Sequence, residues 1–298
     1  MKIGISLPNN WGVIDPTTLV DIAILAEQLG FNSVWTAEHL VNVSYVRDRI
    51  GDRPFHHPLP ILSYIAARTT SIRLGTSILV LPFHHPFDLA KYLATLDHLS
   101  GGRVVLGVGT GNVPEEFAAM NIDWTKRGKI TDETIDVLKV LWSQQPASYT
   151  GENWEFADVR TSPKCHQLPH IPIWVGGTST AAFRRAVRVG AGWHPAGISV
   201  AEFREQRAVV EQMLDESGRD RAGFEYCMRF NIDFDGAMTE IERRVSISSG
   251  DVAQVRSRAE QCAEAGATHL ILAINSNDFD AVEKCLTRIA GEVLSNVA

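Results

Sequence analysis

The chain has 298 residues, of which 45% are apolar and 21% are charged. This length and composition allow either two ordinary domains or one α/β barrel with a large core. The net charge of −7 argues against a nucleic-acid partner, because binding to phosphates needs a concentrated basic face. No apolar run is long enough to span a bilayer, so we expect no membrane partner.

The cysteine pattern and the N-terminal segment indicate a cytoplasmic protein. Cys165, Cys227, Cys262 and Cys285 lie far apart, and none has C-x-x-C spacing. A reduced cytosolic chain fits this pattern better than a disulfide scaffold or a zinc site. Residues 1–8 are too short and too polar for a signal peptide and are predicted to contain the first strand.

Apolar patterns predict strands and helices in strict alternation along the whole chain. We predict strands at residues 2–7, 31–36, 72–81, 104–108, 172–175, 191–194, 224–234 and 269–274. The predicted helices cover residues 15–29, 61–69, 86–99, 125–142, 180–189, 200–217, 251–265 and 278–294. Eight alternating units favour a TIM-like (β/α)8 barrel of the α/β class, with an open doubly wound sheet as the alternative.

Three segments depart from the regular pattern. Gly75-Thr76-Ser77 interrupts the third predicted strand and indicates a bulge or a bend. Residues 41–55 form a polar loop without clear periodicity, which is long enough to cover a substrate. Residues 143–170 are interpreted as an insertion, with a short hairpin as one option, and not as a domain boundary. We therefore predict a single domain over residues 1–298.

The fourth predicted strand ends in a run of alternate glycines, Gly107, Gly109 and Gly111, followed by Asn112. Glycines at the carboxyl end of a buried strand let the backbone turn sharply and let a ligand approach closely. The run is a weak dinucleotide fingerprint, because its spacing is G-x-G-x-G and no acidic residue ends a second strand about twenty residues later.

The carboxyl ends of the strands are where a barrel of this kind places its active site. In this chain they carry few charged groups and many backbone donors, which suits a large planar or phosphorylated ligand better than a metal cluster. Glu38 and His39 are the only adjacent acid and imidazole at a strand end, and a neutral His there can relay a proton. The alternative is a loop-anchoring His whose neighbour caps a helix.

A second candidate site follows the fifth predicted strand, at Val175, Gly176, Gly177 and Thr178. Exposed amides before a helix N-terminus favour a phosphate group. The alternative is a tight turn in which a Ser or Thr only caps the helix. At the end of the sixth strand, His194 fits a structural and a functional role equally well.

Two pairs of adjacent histidines, His56-His57 and His84-His85, each precede a proline. We expect them to help start helices. A metal role is the weaker alternative, because neighbouring side chains on a strand point to opposite faces. No metal site is predicted.

Taken in order, these motifs resemble those of the luciferase-like monooxygenase superfamily, in particular its branch of oxidoreductases that depend on the deazaflavin coenzyme F420. The resemblance covers nearly the whole chain. Each motif alone is modest, but their order and spacing are specific. The motifs are Trp35-Thr36-Ala37-Glu38-His39, Gly75-Thr76-Ser77-Ile78-Leu79, Ser100-Gly101-Gly102-Arg103 with the glycine run, Arg127 with Glu133, and Ile173-Trp174-Val175-Gly176-Gly177.

The resemblance implies a TIM-like barrel that binds F420, or alternatively FMN, at the carboxyl ends of its strands. It implies a non-prolyl cis peptide between Ser77 and Ile78 that supports the back of the ring. It also implies phosphate contacts at the turn of residues 176–178, and it places Asn112 near the ring or its ribityl chain. His39, with Glu38, is implied to lie near the reactive face. Gly109 and its neighbours keep one wall of the pocket low.

Two positions depart from the sugar-phosphate dehydrogenases of the same family. Those enzymes carry Glu where this chain has Asn112, and Trp where it has Val43. The sequence also shows no cluster of lysines and arginines for a second phosphate. Oxidation of an alcohol or a sugar phosphate is therefore not favoured.

Our hypothesis from the sequence is an oxidoreductase in which reduced F420 delivers hydride from its C5 to a small, neutral, unsaturated organic substrate. His39 handles the proton. With FMN, the same fold would instead be a two-component flavin monooxygenase. The resemblance further implies a homodimer and a reductase system that supplies reduced flavin or F420.

Two alternatives belong to other classes. A metal-dependent barrel hydrolase would need His-x-His at the end of the first strand, where this chain has Leu7-Pro8-Asn9-Asn10. A cofactor-binding protein without turnover would bind F420 or flavin but oxidise no substrate.

Overall fold

The computed structural model describes residues 1–234, 246–248 and 251–294. Its strands are β1 (Lys2–Ser6), β2 (Ser33–Thr36), β3 (Arg73–Thr76), β4 (Leu79–Val80), β5 (Val104–Gly109), β6 (Ala147–Thr150), β7 (Glu155–Val159), β8 (Ile173–Gly176), β9 (Gly192–His194), β10 (Glu225–Asp233), β11 (Ser246–Ser248) and β12 (His269–Asn275). Its α-helices are α1 (Thr17–Gln28), α2 (Ser44–Ile50), α3 (Pro58–Arg68), α4 (Pro86–Leu99), α5 (Pro114–Ala119), α6 (Arg127–Ser143), α7 (Thr180–Val189), α8 (Val200–Glu216), α9 (Val252–Glu264) and α10 (Phe279–Ile289).

Eight parallel strands close into a barrel. Their order is β1–β2–β3–β5–β8–β9–β10–β12, and β12 pairs back onto β1 with Lys2 opposite His269. The pairing of β9 with β10 joins the two halves of the sheet, so no open edge remains between these eight strands. The prediction of a (β/α)8 barrel is confirmed, and the open doubly wound sheet is excluded. In this order β10 lies opposite β3, four strands away in either direction.

The barrel is packed inside and does not form a pore. The indole rings of Trp35 and Trp174 stack inside the barrel with their centroids 4.9 Å apart. Trp35 Nε1 donates to Ser33 Oγ over 2.8 Å, and the same hydroxyl lies 2.8 Å from His269 Nε2. Because side chains fill the interior, a ligand must bind at an end of the barrel and not through it.

The surrounding helices cover the sheet with apolar faces, as the predicted periodicity requires. In α1 the buried positions Leu19, Ile22, Ala23 and Ala26 form one stripe against the barrel. The helices predicted at residues 86–99 and 180–189 coincide with α4 and α7. No helix in the described part of the chain is both long and apolar enough to cross a membrane. The four cysteines are buried and form no disulfide.

Some elements differ from the sequence prediction. The loop predicted at residues 41–55 contains α2, whose only buried residues are Val46 and Ile50, too few to produce a readable periodicity. The short elements α5 and β11 were not predicted either. Within the insertion, β6 and β7 pair as an antiparallel hairpin.

The third strand is interrupted where the sequence indicates a bulge. It continues as β3 and then β4, and the peptide bond between Ser77 and Ile78 is cis, as the resemblance implied. Both segments pair with β5, through Leu74 and Gly75 before the interruption and through Leu79 and Val80 after it. The interruption therefore turns two residues out of the sheet at the carboxyl end of the barrel.

Candidate active site

A cavity of about 430 Å³ opens at the carboxyl ends of the strands, within the range of small-molecule sites. Of the site residues predicted from the sequence, all except Val175 line it. Val175 is fully buried one residue earlier in β8, within the core. The predicted residues that line the cavity are Glu38, His39, Ser77, Ile78, Gly109, Asn112, Gly176, Gly177 and Thr178.

One side of the cavity is built from strand ends and glycines. We call it the backbone wall, and it consists of Ser77, Ile78, Gly109, Gly176 and Gly177. A Cβ atom on Gly109 would lie 2.5 Å from Ile78 Cδ1, and one on Gly176 would lie 3.3 Å from Ile78 Cγ2. Glycine at these positions therefore lets the half-buried Ile78 side chain lie low across β5 and β8.

The glycine turn after β8 is held in a defined shape. Gly177 has φ +108°, a conformation that side-chain-bearing residues rarely adopt, and its carbonyl accepts a 2.8 Å hydrogen bond from Trp193 Nε1. Ser179 caps α7 by accepting from Ala182 N over 3.2 Å, as the capping alternative expected. Gly177 and Thr178 remain exposed beside the cavity at the N-terminal end of this helix.

The residues present fit a flat ring that carries a phosphate-bearing side chain. The Ile78 platform offers an apolar surface for one ring face, and any side chain at Gly109 would push that surface into the cavity. The turn of Gly177 and Thr178 lies at the positive end of α7, where an anionic phosphate is stabilised. A deazaflavin and a flavin both have such a ring and such a side chain, so this fit does not distinguish between them.

His39 is held by a buried carboxylate that the sequence analysis did not assign. Its Nδ1 lies 2.9 Å from Glu116 Oε2 on α5, and Glu116 is only 1% exposed. Glu116 Oε1 accepts from Leu40 N over 2.6 Å, so the carboxylate binds the backbone after β2 as well as the ring. A carboxylate accepts from Nδ1–H, which leaves the lone pair of the neutral ring on Nε2.

That second nitrogen contacts Tyr45, a half-exposed residue on α2. The Tyr45 hydroxyl lies 2.8 Å from His39 Nε2 and therefore donates to it. The pKa of Tyr45 is raised, chiefly by burial and also by the charge of Glu116, while the nearby Arg49 opposes this shift. The hydroxyl therefore stays protonated at neutral pH. Glu116, His39 and Tyr45 form a chain of hydrogen bonds that ends at the cavity.

Glu38 is directed away from its sequence neighbour. Its buried carboxylate accepts from Val80 N over 2.7 Å and lies 2.9 Å from His84 Nε2. Glu38 therefore fixes the chain immediately after the Ser77–Ile78 peptide. The histidine pairs behave largely as expected, since His57 caps α3 and His85 is the residue before α4.

His194 is buried, lines the cavity and connects two of the strand ends. Its Nε2 is 2.8 Å from Ser77 Oγ, so the end of β9 reaches across to the end of β3. Burial, helped by the positive charge of Arg229, lowers the pKa of His194 from 6.5 to about 3. The ring is therefore neutral at any physiological pH. It positions Ser77 and does not act as an acid.

A second part of the cavity lining is made of long side chains. We call it the side-chain wall, and it consists of His39, Tyr45, Arg49 and Arg229. Arg49 comes from α2 and Arg229 from β10, which are 180 residues apart in the chain. The sequence shows no basic cluster, yet the fold brings these two arginines to the same cavity. Within the described residues, no group of three or more His, Cys, Asp or Glu side chains could hold a metal ion.

The closed parallel barrel and the cavity at the carboxyl ends of its strands define an α/β-barrel protein with a small-molecule site. The profile of the luciferase-like monooxygenase family matches residues 1–278, and the chain belongs to this family. The family resemblance stated from the motifs is therefore confirmed.

A sequence relative carries the name of the F420-dependent branch. The F420-dependent glucose-6-phosphate dehydrogenase of Microbacterium testaceum is 30% identical over 225 residues, which cover 74% of this chain and 65% of the relative. The match thus spans just under two thirds of that relative's length. The predicted oxidoreductase class and deazaflavin cofactor agree with this name.

Solved structures share the fold over essentially the whole chain. An F420-dependent secondary alcohol dehydrogenase has a TM-score of 0.83 at 18% identity, with 97% of each chain covered. A monooxygenase from Streptomyces bottropensis has a TM-score of 0.79 at 23% identity, with 100% of each chain covered. At these identities the likeness establishes the barrel and leaves the cofactor and substrate open.

Proposed function

We propose that the protein is an F420-dependent oxidoreductase that transfers a hydride between the deazaflavin and a small organic substrate. One observation carries the proposal: an imidazole held by a buried carboxylate shares a cavity with a flat platform and a phosphate-type turn. The name of the Microbacterium testaceum relative supports the choice of F420.

The backbone wall would hold the cofactor. Ile78 would support one face of the ring, and the turn at Gly177 and Thr178 would bind the phosphate. When bound in its reduced form, F420 supplies the hydride. The protein itself orients the ring, excludes water and manages the proton.

His39 would carry the proton. A substrate that gains a hydride also needs a proton on the carbon or heteroatom that becomes negative. Nε2 of His39 would pass the proton to the substrate, because Glu116 at Nδ1 fixes the ring with Nε2 as its second reactive nitrogen. Asn112 lines the same cavity and interacts with Tyr45, so it would act on the ring or on the substrate next to it.

The experiment that tests this function is a pair of cofactor titrations. The purified protein is titrated with F420 and with FMN, and both dissociation constants are measured from fluorescence. We expect micromolar or tighter binding of F420. Micromolar binding of FMN without binding of F420 would contradict the proposal and favour a flavin monooxygenase of the same fold. Metal analysis of the same protein tests the hydrolase alternative.

Turnover separates an enzyme from a cofactor-binding protein. Anaerobic oxidation of reduced F420 that depends on an added unsaturated substrate is the expected result. The two departures from the sugar-phosphate dehydrogenases, Asn112 and Val43, predict no oxidation of glucose 6-phosphate. A homodimer, a cytoplasmic location and a reductase system that supplies reduced cofactor remain predictions from the sequence. Size-exclusion chromatography with light scattering tests the first of them.

A further inference from the structure

The side-chain wall contains positive charge that hydride transfer to a neutral substrate does not use. Arg49 and Arg229 both line the cavity that holds His39. Within the described residues, neither forms an ion pair with a carboxylate. Partly buried guanidinium groups are normally paired, because removing a charge from water without a partner is costly.

Most hydrogen-bond donors of the Arg229 guanidinium group lack a partner within the described residues. Within the described part of the chain, its one hydrogen bond goes from a terminal nitrogen to Asn231 Oδ1 over 3.2 Å, and its buried Nε has no partner there. Burial lowers the pKa of Arg229 to about 10, and the charge of Arg49 contributes. The group still carries its charge at neutral pH, so its donors are available for an anion.

Arg49 lines the same cavity from helix α2. Its guanidinium carbon lies 5.2 Å from the ring centroid of Trp11 and 5.9 Å from that of Tyr45. Its Nε is buried and has no hydrogen-bond partner among residues 1–234, 246–248 and 251–294. The two aromatic faces hold the planar group beside the cavity while leaving its edge, where the donors are, free of carboxylates.

Two buried carboxylates close to His39 already have partners. Glu38 binds Val80 N and His84, and Glu116 binds His39 and the backbone after β2. Neither can rotate toward the arginines without leaving a buried partner unsatisfied. These two carboxylates therefore do not neutralise the arginines.

We propose that Arg49 and Arg229 bind an oxyanion, a carboxylate or a phosphate, carried by the substrate. The inference rests on the proposed function, because it concerns the substrate of that reaction. It replaces the neutral substrate expected from the sequence with an anionic one. Two guanidinium groups, one on α2 and one on β10, can bind one oxyanion through several charge-assisted hydrogen bonds.

The cofactor's own phosphate is the competing source of such an anion. The backbone wall already provides a turn for that phosphate at Gly177 and Thr178, on β8 and α7. Arg229 lies on β10, opposite β3 and its Ile78 platform. A ring that rests on Ile78 therefore has Arg229 across the barrel from its supporting strand, where we expect the substrate to lie. This placement favours the substrate.

The test compares two probes that differ in charge, cinnamate and its neutral amide, cinnamamide. Calorimetry gives their dissociation constants for the wild type, Arg49→Gln, Arg229→Gln and the control Arg204→Gln, an exposed residue on α8. We expect the wild type to bind cinnamate at least about tenfold more tightly than the amide. Each cavity variant should lose about tenfold in cinnamate affinity, keep its amide affinity and keep its affinity for F420.

Inorganic phosphate distinguishes the two sources of the anion. In F420-loaded protein we expect the cofactor to occupy the turn at Gly177. Inorganic phosphate should therefore compete with cinnamate for binding to the wild type, but not for binding to Arg229→Gln. Equal affinity for acid and amide, or no binding of either anion, overturns the proposal. Loss of F420 affinity in the arginine variants, with cinnamate affinity unchanged, also overturns it and assigns the arginines to the cofactor. The acid–amide comparison is repeated without cofactor, so failure of F420 to bind is seen separately.

Discussion

The two sides of the cavity are built on different principles. The backbone wall consists of strand ends, a cis peptide and glycines, and it presents a shape: a low platform and a turn. The side-chain wall consists of an imidazole, a phenol and two guanidinium groups, and it presents charge and exchangeable protons. We therefore expect cofactor binding and substrate chemistry to depend on separate parts of this chain, so that mutations should impair them separately.

Loss of the imidazole is the strongest test of this separation. We expect His39→Gln to lower kcat by about 10²- to 10⁴-fold, the usual contribution of a positioned acid–base group. The F420 dissociation constant should stay within about twofold, because His39 is not part of the backbone wall. The measurement is steady-state turnover with any substrate of the wild type, together with an F420 titration. Equal losses in turnover and in F420 affinity would show that the two walls act as one.

A matched pair of carboxylates sharpens this result. Glu116→Gln keeps the shape of the residue that holds His39 but removes its charge, and Glu115→Gln removes the charge of its exposed neighbour. We expect the first to lower kcat by about tenfold and the second to leave it unchanged. A Glu116→Gln enzyme with full activity would mean that orientation of the ring suffices.

The converse test adds a methyl group to the backbone wall. The Cβ of Gly109→Ala would lie 2.5 Å from Ile78 Cδ1, so the end of that flexible side chain must move toward the cavity. We expect F420 to bind about tenfold or more weakly, in line with an overpacking cost of about 1–3 kcal/mol. Binding of the charged probe at the arginines should persist. Gly128→Ala is the control, because its Cβ would meet only Arg185, at 3.8 Å.

The same contrast explains what the sequence could reveal. The backbone wall was predictable because each of its parts is a local signal: a glycine run closing a strand, an interrupted strand, a glycine turn before a helix. The barrel was predictable for a similar reason, since apolar periods report strands and helices directly. The exception is Val175, which was predicted to contact the cofactor. It is buried in the core, one residue before the part of β8 that lines the cavity.

The side-chain wall could not be predicted in this way, because its members meet only through the tertiary fold. Arg49 lies on a short helix whose sequence shows no apolar periodicity. Arg229 lies within a strand that was predicted from its apolar residues. The one available signal for Glu116 was its position just after the glycine run, at the carboxyl end of a strand. Its partner on the far loop, His39, is 77 residues away.

His194 binds Ser77 of the backbone wall, and its burial predicts a loss of stability in acid. Its pKa is about 3 in the folded protein and 6.5 when exposed, so between these values the unfolded chain binds more protons. The free energy of unfolding should therefore fall as pH drops below about 6.5, by up to about 1.4 kcal/mol per pH unit from this residue. His269, whose pKa burial also lowers, adds in the same direction. Urea unfolding at pH 7.5, 6.5 and 5.5 measures the slope.

The variant His194→Asn should reduce that slope, whatever its effect on stability at pH 7.5. His166→Asn, at an exposed position, is the matched control and should leave the slope unchanged. A variant with the slope of the wild type would mean that the ring does not stay neutral in the folded protein. The link between Ser77 and β9 would then need another explanation.

The smallest expected effect concerns the phenol at the boundary between solvent and the side-chain wall. In the structure the Tyr45 hydroxyl is hydrogen-bonded to His39 Nε2, the atom that a substrate must reach. Tyr45→Phe removes this competitor, and we expect KM to fall by about two- to fivefold with kcat unchanged, since one neutral hydrogen bond contributes about 0.5–1.5 kcal/mol. Steady-state kinetics over a range of substrate concentrations separates the two constants. A fall in kcat of tenfold or more at constant KM would instead make Tyr45 the group that passes the proton to the substrate, with His39 and Glu116 behind it.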